Sequence, residues 1–388
     1  MRILHLVSSH RWTGAAEPAA DLALAQLRLG HDVSLACIAG ESFWRRLHRM
    51  GVPPMEGLDL RTGPRPAILS DVLKLRKIVS EKPYDVVHCH LQHDHWIAAV
   101  ALGRLTGKKP GADSNPLLRP ILVRTFHRDI PPRGDLFHRR LYRDASDLLI
   151  TVSKSALDST REKLGLDGKF SSHAVWIRGA VDLERFHPGL DGLANRDDWD
   201  IPRDAAVAGI VARMQPHRRH LDLIETIDEV VARIPKAYYI IAGRGELKHK
   251  IRETIHAHPL SERLVRVGYR KHDLPETYAA MDVSVLLAQG SDGTCRAMLE
   301  AMACARPVIG ANIGAMADTI EPGKTGWLVD PADRRQLVDA LLDALGNLER
   351  TREMGIEARR RMEANFSQRA RAEATIEAYG QSVARRGP

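Results

Sequence analysis

Two carboxylates, Asp292 and Glu300, stand eight positions apart in the stretch SDGTCRAMLEAMACARPVIGANIG, residues 291–314. Gly293 and Thr294 suit a loop, while Met298, Leu299, Met302 and Ala303 carry the spacing of a buried helix. Pro307 then opens PVIGA, which reads as a strand. A helix that leaves a glycine turn points unpaired backbone N–H groups outward, a ready seat for a diphosphate. Glu300 falls more than a turn inside that helix, where its carboxylate can accept from a ribose diol. An ordinary loop followed by a salt-bridged helix fits the same letters, so neighbouring segments decide.

Other residues invite chemistry with less support. His88, His90, His93 and His95 crowd around Cys89 at a density that suggests zinc. HCH finishes a strand, however, and no second ligand group follows at metal spacing, so no metal is expected. FWRRLHRM (43–50) and LFHRRLYR (136–143) set aromatic and aliphatic residues among arginines at helical spacing. Each is an ordinary half-buried helix or a segment that rests on an anionic membrane surface.

The elements that must position these residues alternate. Ile3–Val7 is a strand, Glu17–Leu29 a helix stopped by Gly30, and Val33–Ala39 a strand again, followed by DVVHCH (85–90), ILVRTFH (121–127) and DLLITVS (147–153). The second half repeats the grammar with VAGIVAR (207–213), YYIIAGRG (238–245), LVRVGY (264–269), VSVLLA (283–288) and PVIGA (307–311). Short apolar, β-branched runs separated by helices call for buried parallel sheets with right-handed crossovers. Two such runs predict an α/β chain of two doubly wound domains. Ligands of these sheets bind outside the carboxyl ends of the strands, so facing domains would share a central cleft. The break falls near HPGLDGLANRDDWD (187–200), which predicts domains at 1–190 and 191–367, with the terminal helix 368–388 packing back on the first. The Pro- and Gly-rich stretch 107–120 reads as a surface loop.

Bulk properties fit this frame. At 388 residues, 27% charged and 44% hydrophobic, the chain has room for two or three ordinary domains. No apolar run approaches a membrane span of about 18 residues, and the start has no basic region or cleavage site of a signal peptide. Four cysteines without CxxC spacing suggest reduced thiols and a cytoplasmic protein. Residues 1–190 hold 28 Lys and Arg against 20 Asp and Glu, whereas residues 191–388 hold 29 of each. A basic first half beside a neutral second half points to an anionic surface or lipid as partner, or to a solvated basic face. Nucleic acid is set aside, because no recognisable binding module accompanies the charge.

Together these segments resemble the retaining glycosyltransferases of the GT-B fold, family 4. LEAMACARPVIG (299–310) is similar to the family's helix and strand after its paired glutamates, and Asp292 and Glu300 stand where the pair belongs. GRGELKHKI (243–251) resembles the family's glycine turn, VGYRKHDLPETYAAMDVSVLLA (267–288) its nucleotide-side loop and helix, and EPGKTGWLVDP (321–331) and AVDLERFHP (180–188) further family segments.

The resemblance implies roles. Arg213 and Arg218 would clamp the donor diphosphate, with Arg219 a near substitute. Glu300 would bind the ribose hydroxyls, and Asp292 the sugar hydroxyls. His127 at its strand end would reach the donor sugar and phosphate. Gly14 and Ala15 would lie against the donor, as would Gly243, Tyr269, and Gly293, Thr294, Cys295 and Arg296 through backbone N–H groups. Departures from the family pattern fall on sugar contacts: Asp for Glu at 292, Thr294-Cys295 for Phe-Gly, and Ala15 for the second glycine. The implied activity is transfer of a sugar from a nucleotide diphosphate sugar of UDP or GDP type to a hydroxyl acceptor, without metal or other cofactor. The expected setting is lipopolysaccharide, exopolysaccharide or glycolipid assembly at the inner face of the cytoplasmic membrane, with a lipid-linked acceptor. An inactive homologue that binds as a subunit, and a GT-B epimerase or phosphorylase, are the alternatives.

Overall fold

A computed structural model describes residues 1–62, 65–105, 119–289 and 293–386 of the chain. Asp292 and most of the 107–120 stretch lie outside the described residues. The chain divides into two compact units: Met1–Gly179 with Ser291–Thr294 and Gln368–Pro388, and Ala180–Gly290 with Cys295–Ser367.

In the first unit, β1 (Arg2–Val7), β2 (Asp32–Cys37), β3 (Val86–Cys89), β4 (Ile121–Thr125), β5 (Leu148–Thr151) and β6 (Ala174–Trp176) form one sheet in the order β2-β1-β3-β4-β5-β6. All its pairs are parallel. Both faces are buried, as the near-continuous apolar runs require. Leu4, Leu6, Val87, Leu122 and Leu149 pack into one core. Ile3, Val86, Ile121, Val123, Leu148 and Ile150 face the other way, toward Ala378 and Tyr379 of the terminal helix Gln368–Ala384. That second face also carries His5, His88 and, one and two residues past the ends of β3 and β4, His90 and His127, because side chains alternate along each strand. Gly30 adopts φ +84° and ends the helix Ala16–Arg28, a backbone angle that glycine reaches without strain.

In the second unit, β7 (Ala206–Val211), β8 (Ala237–Ala242), β9 (Leu264–Gly268), β10 (Val283–Leu286), β11 (Val308–Ala311) and β12 (Gly326–Val329) form a parallel sheet in the order β12-β11-β10-β7-β8-β9. Read from β7, this is the doubly wound order in which the chain reverses direction across the sheet between β7 and β10. The equivalent reversal in the first unit lies between β1 and β3. The helix Arg296–Ala303 buries Met298, Leu299 and Met302 in a core with Val207 and Ile240 of the second sheet.

Two strands have no sequence forecast: β6 with three residues and β12 with four, both at sheet edges. Edge strands this short leave too few positions for an apolar pattern to register. The boundary between units falls at Gly179, ahead of the composition break at 187–200. Backbone pairing explains this: Val181 N–H donates to the carbonyl of Phe366 (2.9 Å), and the Arg359 guanidinium donates to the carbonyls of Phe186 (2.7 Å) and Ala303 (2.9 Å). These contacts bind residues 181–186 to the second unit.

Candidate active site

The switch point of the second unit is occupied by arginine. β7 ends at Val211, and the turn beyond it carries Arg213, Arg218 and Arg219. Arg218 donates from Nη1 to the carbonyl of Ala288, just past β10, at 3.0 Å. One guanidinium thus bridges the exits of the two strands between which the sheet reverses. Arg213 lies exposed on the same turn. Arg219 does something else. It adopts φ +61°, donates to Asp222 at 2.7 Å, and donates to the carbonyl of Pro331. These contacts commit it to holding the turn, so it is a poor understudy for Arg218.

Glu300 sits half-buried on the helix Arg296–Ala303 and accepts from the Tyr278 hydroxyl at 2.9 Å. Tyr278 is wholly buried, and burial, followed by the Glu300 charge, pushes its phenol well above the ordinary range. It therefore stays a donor at any working pH and fixes one carboxylate oxygen. Nothing in the local sequence marks Tyr278 for this task. Its distance of 22 positions from Glu300 hides the pair.

Cys295 caps the helix that carries Glu300, with φ +53° and ψ +52°. This is a left-handed conformation natural to glycine and uncommon for other residues. Cys295 stands where the family pattern has glycine, so the backbone shape is retained although the residue is not. Cys295 and Arg219 are two of five non-glycine residues with positive φ among the described residues. Strain of this kind concentrates at functional sites.

Gly243 follows β8 at φ +144°, and a Cβ there would lie 1.9 Å from the carbonyl oxygen of Ala212. Its N–H donates to Gly268 O at 2.7 Å. Gly243 thus lets three strand exits approach closely. Tyr269, just past β9, is exposed, with the Arg244 guanidinium 4.1 Å from its ring centre.

In the first unit, the loop after β1 leads to Gly14 and Ala15, both partly exposed before the helix Ala16–Arg28. The helix has no side-chain cap from Ala15. Thr13 serves instead: its hydroxyl accepts from Ala16 N–H (3.2 Å) and its carbonyl from Glu17 N–H (3.0 Å). Asp94 anchors the start of this loop by accepting from Ser8 N–H (3.2 Å) and Leu91 N–H (2.9 Å). It is fully buried, 4.0 Å from Arg124, and burial raises its carboxyl to about 7.

His127 lies buried just beyond β4, and its Nε2 is 2.9 Å from Nδ1 of His90. Gly293 and Thr294 belong to this unit. Gly293 N–H donates to His127 O at 2.8 Å. A Cβ at Gly293 would lie 2.7 Å from Asp129 N, so its role is close packing. Thr294 lines a small cavity with Thr125, Arg178 and Arg371. Arg296 is half-buried at the first turn of its helix.

The suggested histidine cluster assembles differently. His95 turns away to Leu141 O (3.2 Å) and Ser146 (3.1 Å). The group that gathers is His5, His88 and His90, whose ring nitrogens lie within 4.8 Å of one another. Each of those six nitrogens has a protein hydrogen-bond partner, so a metal would have to displace them.

Residues 193–361 match the family model described as Glycosyl transferases group 1, and residues 12–185 that described as Glycosyltransferase Family 4. The chain is a family 4 glycosyltransferase of group 1. Among its relatives, it is 28% identical to D-inositol 3-phosphate glycosyltransferase 2 of Catenulispora acidiphila, over 96% of this chain and 84% of that one. It is 24% identical to N-acetyl-alpha-D-glucosaminyl L-malate synthase of Bacillus anthracis, over 74% of this chain and 72% of that one. Anabaena Alr3699/HepE in complex with UDP superposes with a TM-score of 0.79 at 20% identity, covering 98% of this glycosyltransferase and all of that chain. The two six-stranded sheets are those of the GT-B fold.

Proposed function

We propose that this glycosyltransferase takes its sugar from a nucleotide diphosphate sugar of UDP or GDP type, with retention and without a metal. The observation that carries the reading is the Arg218 guanidinium held at the exits of β7 and β10, with Arg213 exposed on the same turn. As the sugar–phosphate bond breaks, negative charge grows on the leaving diphosphate, and cations fixed in place beforehand lower that barrier. Arginine adds geometry, because its fork holds two phosphate oxygens at once. Glu300, oriented by Tyr278, would take the ribose hydroxyls, and Asp292 and His127 would hold the sugar. Gly14, Ala15, Gly243, Tyr269 and the stretch Thr294–Arg296 would complete the donor seat. The UDP-bound state of the Anabaena structure supports a uridine or related donor.

Thermal shifts against UDP, GDP, ADP, TDP and CMP, in chelator, test this reading. A nucleoside diphosphate at a hundred times its dissociation constant should stabilise the protein by about 2.7 kcal/mol. No shift from any diphosphate would remove the donor assignment, and a shift that needs added metal would remove its metal-free form.

The acceptor is a hydroxyl, and we place it on a lipid-linked glycan at the inner face of the cytoplasmic membrane. No helix among the described residues is long and apolar enough to cross a membrane, so attachment would be peripheral. The two basic-aromatic segments differ here. In the helix Ser42–Arg49, Phe43 and Leu47 are wholly buried, so its apolar face is already used in the core. In the second segment, Leu136 is 86% and Phe137 46% exposed, with Phe137 stacked on Trp96 and Ile130 also exposed. Arg128, Arg133 and Arg140 are exposed on the same stretch of chain. Apolar tips among cations suit an anionic bilayer. The protein should sediment with vesicles containing anionic phospholipid, and Leu136→Ser/Phe137→Ser should release most of it. Equal recovery of wild type and variant with the vesicles would remove this surface from the proposal, and failure of the wild type to sediment would favour an acceptor that is not membrane-bound.

A further inference from the structure

The loop after β1 and the helix Ser42–Arg49 after β2 leave adjacent parallel strands at the carboxyl edge of the first sheet, the side on which such sheets take ligands. The two segments are tied together. Ser42 Oγ donates to the carbonyl of His10 at 3.2 Å, and the Trp12 ring packs on Phe43 with centres 5.5 Å apart. Phe43 and Leu47 turn the apolar side of the helix into the core, which leaves Arg45, His48 and Arg49 exposed and Arg46 half-buried.

Arg46 stands apart from the others. Its guanidinium lies 4.0 Å from the centre of the Trp12 ring. That contact holds the cation in place, yet the guanidinium makes no hydrogen bond or ion pair among the described residues, so its N–H donors are left for an incoming acceptor. Trp12 has the same deficit: its Nε1 is buried with no hydrogen-bond partner among the described residues. A half-buried cation and a buried indole N–H, both unmet and in contact, mark a place where acceptor oxygens belong. Arg11 and Arg45, the chain neighbours of Trp12 and Arg46, are exposed and also have no side-chain partner among the described residues. Glu41, just ahead of the helix, lies 3.6 Å from His10 Nδ1 and pairs with none of these arginines.

We propose that Arg46, set over Trp12, is the anion-binding residue of the acceptor site, with Arg11 and Arg45 adding charge, and that it holds a phosphoryl group of the acceptor. The guanidinium fork can take two oxygens of one phosphate, and three cations with no carboxylate paired to them favour a dianion. This deepens the proposed transfer to a hydroxyl acceptor and rests on it. The phosphate anchors the acceptor on the first unit, whether a lipid or a soluble sugar carries it.

The test is fluorine NMR of the full-length protein labelled with 5-fluorotryptophan, with the Trp12 resonance assigned by its loss in Trp12→Phe. Glycerol 3-phosphate should move that resonance saturably, while sodium chloride at equal ionic strength should not. Arg46→Gln should weaken the apparent affinity about tenfold or more, the effect of losing a charge-assisted hydrogen bond, and Arg46→Lys should fall between. Arg218→Ala should titrate as wild type. Dihexanoyl phosphatidic acid, set against dihexanoyl phosphatidylcholine, separates the sources. Tighter binding than glycerol 3-phosphate assigns the phosphate to a lipid, and equal binding assigns it to a water-soluble acceptor. No saturable shift with either phosphate, an equal shift from chloride, or an Arg46→Gln titration like wild type overturns the proposal and leaves the donor reading untouched. Loss of the response in Arg218→Ala also overturns it, since the phosphate would then be bound at the donor clamp. A protein that ignores every nucleoside diphosphate but keeps the Trp12 response loses the donor reading alone.

Discussion

Arg218→Ala should lower turnover about a thousandfold while leaving the yield and melting temperature of the protein close to wild type. Removing one preorganised group that stabilises developing charge typically costs 10²- to 10³-fold in kcat, and Arg218 is fixed where that charge would grow. Its known contact, Nη1 to Ala288 O, joins two strand exits at the sheet edge and is not part of the core. The loss should fall on kcat more than on KM, because charge on the diphosphate is greatest in the transition state. Arg218→Lys should recover only part of the rate, since an ammonium cannot hold two oxygens in a plane. Arg219→Ala provides the contrast. Its contacts with Asp222 and Pro331 make it a structural residue, so the melting temperature should fall while turnover per folded molecule falls far less. Turnover of Arg218→Ala within tenfold of wild type would take this residue out of the mechanism.

Why the spacing of arginines was legible and their division of labour was not comes down to one backbone angle. The sequence puts Arg213, Arg218 and Arg219 after a strand, and a turn after a buried strand must surface at the sheet's carboxyl edge. Whether position 218 or 219 faces the switch point depends on the left-handed turn at Arg219, which swings its side chain toward Pro331. No pattern rule forecasts a left-handed arginine. Glu300 is similar: its helix is plain in the spacing of Met298, Leu299 and Met302, but its partner Tyr278 arrives from another helix. Central strands were readable because burial on both faces makes them uniformly apolar. β6 and β12, short and at edges, were not. The histidines show the same limit most clearly. Those adjacent in sequence, His93 and His95, do not join the cluster, whereas His5, 83 positions before His88, does. Only the order β1-β3-β4 brings it there.

That histidine-rich core predicts how the first unit fails in acid. His5 titrates at about 4 and His95 at about 3, and His88 and His90 lie well below 6.5, in each case chiefly because burial opposes the charged form. The unfolded chain binds protons at these sites near pH 6.5, so between there and about 4 it holds protons that the native state lacks. Stability from these groups is therefore complete above pH 6.5 and lost as pH falls. Asp94 acts in the opposite sense. Its native value of about 7 lies above the unfolded 3.8, so the native state holds a proton there that the unfolded chain has released, and acidification favours folding. Four buried histidines against one carboxyl leave a net uptake of protons on unfolding below pH 6.5, so stability falls as the solution is acidified. A domain is stable by only about 5–15 kcal/mol, so the first unit should be acid-labile below pH 6.5. Urea midpoints from pH 8 to pH 5 measure it directly: a plateau above pH 7, then a steep fall. His95→Phe, which keeps the ring against Tyr142 and removes one titrating site, should make the fall shallower. A flat profile to pH 5 would mean that the buried imidazoles accept protons in the native state as readily as in the unfolded chain.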